Sequence, residues 1–166
     1  MDGMNDVFLE YGYQWLLGTT KFLYGREENL INSFLELQVD GLIVQPVQRP
    51  GTFFNRLMET TNVPIAFVCD SLADVAIPAF MVDAEQAGRD MVQCLYERGH
   101  RKIAYMMLSD YPSPQSSGRL RGFLAQMKDL GLECRDEWIR RTTPMHPEME
   151  RDAALSLIRL PDPPTA

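Results

Sequence analysis

Along this chain an amphipathic stretch, a Gly or Asp-Gly stop and a short apolar run recur in that order. Met4, Val7, Phe8 and Tyr11 fall at helical spacing and Gly12 suits a left-handed C-terminal cap. Residues 13–19 (YQWLLGT) then predict a strand. Glu27 and Glu28 behind Arg26 favour a helix start. Leu30, Ile31, Phe34 and Leu35 form its buried stripe, Asp40-Gly41 closes it, and Leu42-Ile43-Val44 follows as a short, wholly apolar strand. A third helix over residues 52–61 leads to a strand over 63–68; residues 70–78 read as loop and 79–82 as another short strand. Asp83, with Gln86 three residues on, carries a capping-box pattern. The helix it opens has Ala87, Met91, Cys94 and Leu95 on its apolar face and Gly99 at its end, before a strand over 103–108. Ser116 or Ser117 can cap the next helix, with Leu120, Phe123, Leu124, Met127 and Leu130 in its stripe and Gly131 at its stop. Residues 138–141 predict a strand, and Pro147 fits the first turn of a last helix with Ala153, Ala154, Leu157 and Ile158 inward.

Strands that are short and apolar on both sides are buried on both sides, and helices between them imply parallel pairing. The expected class is α/β, of the open, doubly wound kind. Ligands of such sheets bind beyond the carboxyl ends of the strands. That places interest on Gln45-Pro46, on Cys69-Asp70-Ser71 and on residues 109–117.

The chain has 166 residues, 45% of them hydrophobic, enough for one domain or two small ones. Its formal net charge of -7 opposes direct contact with nucleic acid, whose affinity comes mainly from Lys and Arg. No apolar run approaches the roughly 20 residues that cross a bilayer. No basic segment precedes an apolar one near the start, so no export signal is read and a cytoplasmic setting is expected. Cys69, Cys94 and Cys134 are wide apart and read as buried, reduced thiols. The ten methionines read as packing, and His100 and His146 are too few for a metal or catalytic cluster. No phosphate loop, nucleophile elbow or zinc motif occurs, so neither an enzyme nor a cofactor is expected. The run Ser116-Ser117-Gly118-Arg119-Leu120-Arg121-Gly122-Phe123 follows a strand and opens a helix. An arginine there can make paired hydrogen bonds to a hydroxyl-rich or carboxylate ligand. Arg121 reads as more solvated than Arg119.

Several runs resemble the effector-binding core of the lactose-repressor (LacI/GalR) family. They are Val39-Asp40-Gly41-Leu42-Ile43-Val44, Asn62-Val63-Pro64, Glu97-Arg98-Gly99-His100-Arg101-Lys102-Ile103-Ala104, Arg119-Leu120-Arg121-Gly122-Phe123 and Pro163-Pro164-Thr165-Ala166. Residues 11–14 and 18–20 look nearest to gluconate-type regulators. The resemblance implies a periplasmic-binding-protein-like type I sensor of two incomplete lobes, residues 1–82 and 83–166, with the first crossing near Asp83. It implies a small-molecule sugar or sugar-acid effector contacted by Arg119, Asp70 and Gln45, with His100 holding a turn and no metal. It implies a homodimeric parent that meets operator DNA through a helix-turn-helix headpiece not found in this sequence. It also implies that the sensor's first strand and its later strands lie outside the sequence, which leaves the fragment marginally stable. Competing readings are a stand-alone, transport-type sugar-binding protein and an α/β enzyme. A helix-turn-helix encoded upstream supports the regulator, and a signal peptide there sinks it.

Overall fold

Two parallel sheets organise the chain in a computed structural model that describes residues 2–108, 113–143 and 146–166. In the first sheet β1 (Leu42–Val44) pairs with β2 (Ile65–Val68), and β2 pairs with β3 (Ala79–Phe80). In the second, β4 (Tyr105–Leu108) pairs with β5 (Ile139–Thr142). Parallel neighbours cannot be joined by a hairpin. The crossovers are α3 (Thr52–Thr60) between β1 and β2, and α5 (Pro114–Asp129) between β4 and β5. The remaining helices are α1 (Asp2–Glu10), α2 (Tyr24–Glu36), α4 (Ala84–Glu97) and α6 (Pro147–Ile158). The expected α/β class with parallel strands is what forms.

Each sheet has its own core. Ile31 of α2 and Phe53, Phe54 and Leu57 of α3 pack on Leu42, Phe67, Leu72 and Ile77. Phe54 stands edge-on to Phe67 at 4.9 Å between ring centroids, the arrangement aromatic quadrupoles favour. On the second sheet Val92 of α4 meets Phe123 and Met127 of α5 over Ile103. Burying each such side chain is worth about 1.5–3 kcal/mol. Helices α4 and α5 approach at glycines. A Cβ on Gly122 would lie 1.9 Å from the Glu85 carbonyl oxygen, and one on Gly88 would lie 2.3 Å from that of Arg119.

Several expectations need correction. Residues 13–19 form no strand, and Tyr13, Leu16 and Leu17 are exposed. An apolar run becomes a strand only beside a ladder partner, and none pairs with it among the described residues. Ile43 is 52% exposed, so β1 is not covered on both sides. Helix α2 ends at Glu36, and the left-handed residue beyond it is Gln38 at φ 56°, not Gly41. Helix α5 starts earlier than Ser116 or Ser117. Ser113 caps it, Pro114 supplies the fixed φ of its first turn, and Ser116 returns the capping-box bond. At Asp83 only half of the expected box forms. Its carboxylate accepts from the Gln86 N–H at 2.9 Å while the Gln86 amide turns to Asp90. All three cysteines are free but exposed: Cys69 at a bend, Cys94 on the outer flank of α4 and Cys134 in the irregular segment before β5. Met58, Met91, Met149 and Ile158 are exposed as well: the buried line of α4 runs through Ala84, Gly88 and Val92, and that of α6 through Leu157.

The last residues return to β4. The Thr165 N–H donates to the Lys102 carbonyl at 2.8 Å and the Ala104 N–H to that of Ala166 at 2.7 Å. His100 Nδ1 lies 3.0 Å from Thr165 Oγ1, so this histidine ties the turn after α4 to the last segment. Asp162 bridges Lys102 and Arg135, whose guanidinium stacks on the buried Trp138 at 4.6 Å. The hydrogen bond from Lys102, with Arg135 behind it, holds the Asp162 carboxyl below its usual value. A depressed carboxyl contributes stability that is present above the unfolded value, about 4, and is lost as pH falls through the folded one. Below pH 4, Asp162→Asn is therefore expected to flatten the fall of Tm with acidity. A Tm–pH curve that runs parallel to the wild type would remove Asp162 from the acid response.

Candidate functional site

The carboxyl ends of the strands place the expected residues as follows. Gln45 follows β1 directly and is exposed, ahead of the buried Pro46 and Val47. Asp70 lies two residues beyond β2 and is only 2% exposed; its Oδ1 accepts from the Ser71 N–H at 3.0 Å. Cys69 turns the chain there at φ 65°, with its N–H donating to Phe80 O. The Asp70 carboxylate is thus fixed on its own loop, and its neighbour Ser71 accepts from outside: the Gln48 amide donates to its carbonyl at 3.0 Å. Of the third expected loop, residues 109–112 lie outside those described.

Arg119 sits in the second turn of α5 rather than the first, because the helix starts at Pro114. It is exposed and has no ion-pair partner among the described residues. It acts on Tyr105: burial pushes that phenol up, and the Arg119 guanidinium pulls the other way. Arg121, by contrast, pairs with Glu85 across the α4–α5 contact at 3.2 Å.

Two features escape sequence reasoning. The first is Gln115, one helical turn before Arg119 and so on the same face of α5. It is 7% exposed, its Nε2 donates to the Val82 carbonyl at 3.0 Å, and its buried Oε1 has no hydrogen-bond partner among the described residues. A buried acceptor left unmade costs about 1–3 kcal/mol, which marks a place where a donor belongs. The only available signal was the Ser113-Pro114 pair, which places Gln115 in the first turn. The second feature is the pair Glu27 and Arg49. Glu27, 1% exposed, accepts from the Val47 N–H at 2.8 Å and meets Arg49 Nη2 at 3.0 Å. Burial pushes its carboxyl up, while the Val47 amide and Arg49 pull it down. Arg49 also binds Glu28 at 2.7 Å and lies over the rings of Phe53 and Phe54. Among the described residues no cluster of His, Cys, Asp and Glu could hold a metal, and no helix is long and apolar enough to cross a membrane.

Residues 7–166 match the family model described as periplasmic binding proteins and sugar binding domain of the LacI family. Catabolite control protein A of Priestia megaterium is 27% identical over 137 residues, 82% of this chain and 41% of that protein. A solved structure from Burkholderia thailandensis, assigned as a ribose operon repressor, superposes with a TM-score of 0.76 at 31% identity. It covers 94% of this chain and 56% of its own. A LacI family transcriptional regulator from Lactobacillus casei, solved with bound glucose, shares the fold with a TM-score of 0.71 at 21% identity, over 96% of this chain and 57% of its own. The chain spans about half the length of the relatives it matches.

Proposed function

The chain belongs to the family of periplasmic binding proteins and LacI-family sugar-binding domains, and we propose that it is the effector-sensing part of a transcription regulator. The ligand is a sugar or sugar acid held between two lobes, residues 1–82 and 83–166, at the carboxyl ends of the strands. The reading rests on one observation above the others. Among the described residues, the first turns of α5 present a guanidinium without an ion pair at Arg119 and a buried acceptor without a hydrogen bond at Gln115 Oε1, four residues apart. A ligand that satisfies both must offer acceptors and hydroxyl donors on neighbouring atoms, as a polyhydroxylated molecule does. Gln45 and Asp70 supply an amide and a carboxylate from the loops after β1 and β2. Asp83 marks the crossing between lobes, and the Gln115–Val82 bond ties that crossing to the ligand face.

Closure of the lobes around a ligand is how a sensor of this class converts binding into a shape change. Operator DNA belongs to a headpiece outside this acidic chain, a homodimer is the matching assembly, and a cytoplasmic location goes with both. The relatives are regulators by name, and no chemical step is proposed. Calorimetry tests the reading with D-glucose, D-ribose, sucrose, D-gluconate and glucose 6-phosphate as probes. Saturable, one-site binding of at least one of them is expected. The absence of binding by all five overturns it.

A further inference from the structure

The strand-end loops are tied together by contacts that a ligand site does not itself require. Glu27, in the first turn of α2, reaches under the loop after β1 and takes the Val47 N–H on its Oε1. Arg49, from the same loop, folds back onto Glu27 and Glu28 and is covered by Phe53 and Phe54. The residue between them, Gln48, donates its amide to the Ser71 carbonyl in the loop after β2. Gly51 closes the other end: its N–H donates to both Asp74 oxygens, at 3.0 and 2.9 Å, and Asn55 donates to the Asp74 carbonyl at 3.1 Å. Gly51 is tight against that second loop. A Cβ there would lie 2.0 Å from Val75 Cγ2.

A buried carboxylate–guanidinium pair is a poor device for stability alone. Removing two charges from water costs several kcal/mol per ion, and well-packed apolar residues often do as well or better. An apolar residue at position 27 could not, however, hold the Val47 amide or set the direction of Arg49. We propose that Glu27 and Arg49 are a positioning pair. They fix loop 45–51 on α2, and through the Gln48–Ser71 and Gly51–Asp74 bonds that loop and loop 69–75 act as one unit, which sets where Gln45 and Asp70 stand in the ligand crevice. The consequence for ligand rests on the function proposed above, whereas the coupling of the loops does not.

Hydrogen exchange read by NMR on the whole chain tests the coupling without any ligand. The reporter amides are Gly51 and Ser71, whose acceptors are Asp74 and Asp70 and which make no contact with Glu27. Glu27→Ala is expected to speed exchange at both by about tenfold, as a shared local opening would, and to leave the α4 and α5 amides unchanged. Glu27→Gln keeps an acceptor for Val47 and is expected to restore part of the protection. Should Glu27→Ala fail to fold, Arg49→Lys serves. It keeps the charge, loses the forked contact, and is expected to speed the same two amides. Faster exchange confined to 45–51 overturns the proposal, and so does a uniform rise across both sheets, which is the signature of general destabilisation. If both loops loosen together while no sugar probe binds, the coupling stands and the sensor reading falls.

Discussion

Gly122→Ala is expected to destabilise the chain by about 3 kcal/mol, the upper part of the range for overpacking a filled contact. In an exposed helix the same change would be favourable by about 1 kcal/mol, because alanine loses less backbone freedom than glycine on folding. Here the added methyl would lie 1.9 Å from the Glu85 carbonyl oxygen, 2.8 Å from its carbon and 3.0 Å from the Arg89 nitrogen. All three are backbone atoms, so no side chain can rotate aside, and the helices must part by more than an ångström. The neighbours that suffer are Val92, Ile103, Phe123 and Met127, each at most 2% exposed. A gap of that size forfeits much of their dispersion contact. Gly25 in α2 provides the matched control, since a Cβ there meets nothing within 4 Å. Gly25→Ala is expected to be neutral or stabilising by up to about 1 kcal/mol. Urea unfolding followed through the buried Trp138 compares the two. Equal midpoints for both variants would mean that α4 and α5 can separate without cost.

The same glycines show how far the sequence could be read. Its periodicity placed β1, β2, β4, β5 and all six helices to within a few residues, because amphipathic stripes and apolar runs are local signals. The stop glycines Gly12, Gly99 and Gly131 do take positive φ. Gly88, Gly118 and Gly122 were not legible as a helix contact, since close approach depends on what a second helix presents. The start of α5 falls before Ser116 and Ser117 because Pro114, with its fixed φ and missing N–H, selects the first turn. Residues 13–19 have strand composition and no ladder, because pairing is a property of two segments and only one of them can be read from its own residues. The family resemblance was carried by contiguous runs such as 39–44 and 97–104, and it is borne out over residues 7–166. The candidate site was only half visible. Arg119 lies within a recognisable run, but Gln115 and Glu27 matter through burial and through partners 33 and 20 residues away in the chain, Val82 and Val47.

Arg119→Ala is expected to weaken binding of an anionic probe such as D-gluconate or glucose 6-phosphate by about 10- to 100-fold, the effect of losing a hydrogen bond to a charged group. The basis is an arginine with no ion pair and, one helical turn before it, a buried acceptor with no hydrogen bond, both among the described residues. Arg121 is the internal comparison. It is exposed and paired with Glu85, a contact worth at most about 1 kcal/mol, so Arg121→Ala is expected to leave affinity within twofold. The series also separates ligand classes. A neutral sugar bonded to Arg119 loses less than an anion does, and Gln115→Glu adds a second acceptor and a negative charge on the same face of α5. That substitution is expected to penalise the anionic probes well beyond D-glucose or D-ribose, since only they gain a like-charge repulsion on top of the lost Val82 tether. Calorimetry on the four proteins therefore reads both the site and its preference. An affinity unmoved by Arg119→Ala would remove this face of α5 from ligand contact. A Gln115→Glu variant that penalised all probes alike would keep the site there and assign it to uncharged sugars.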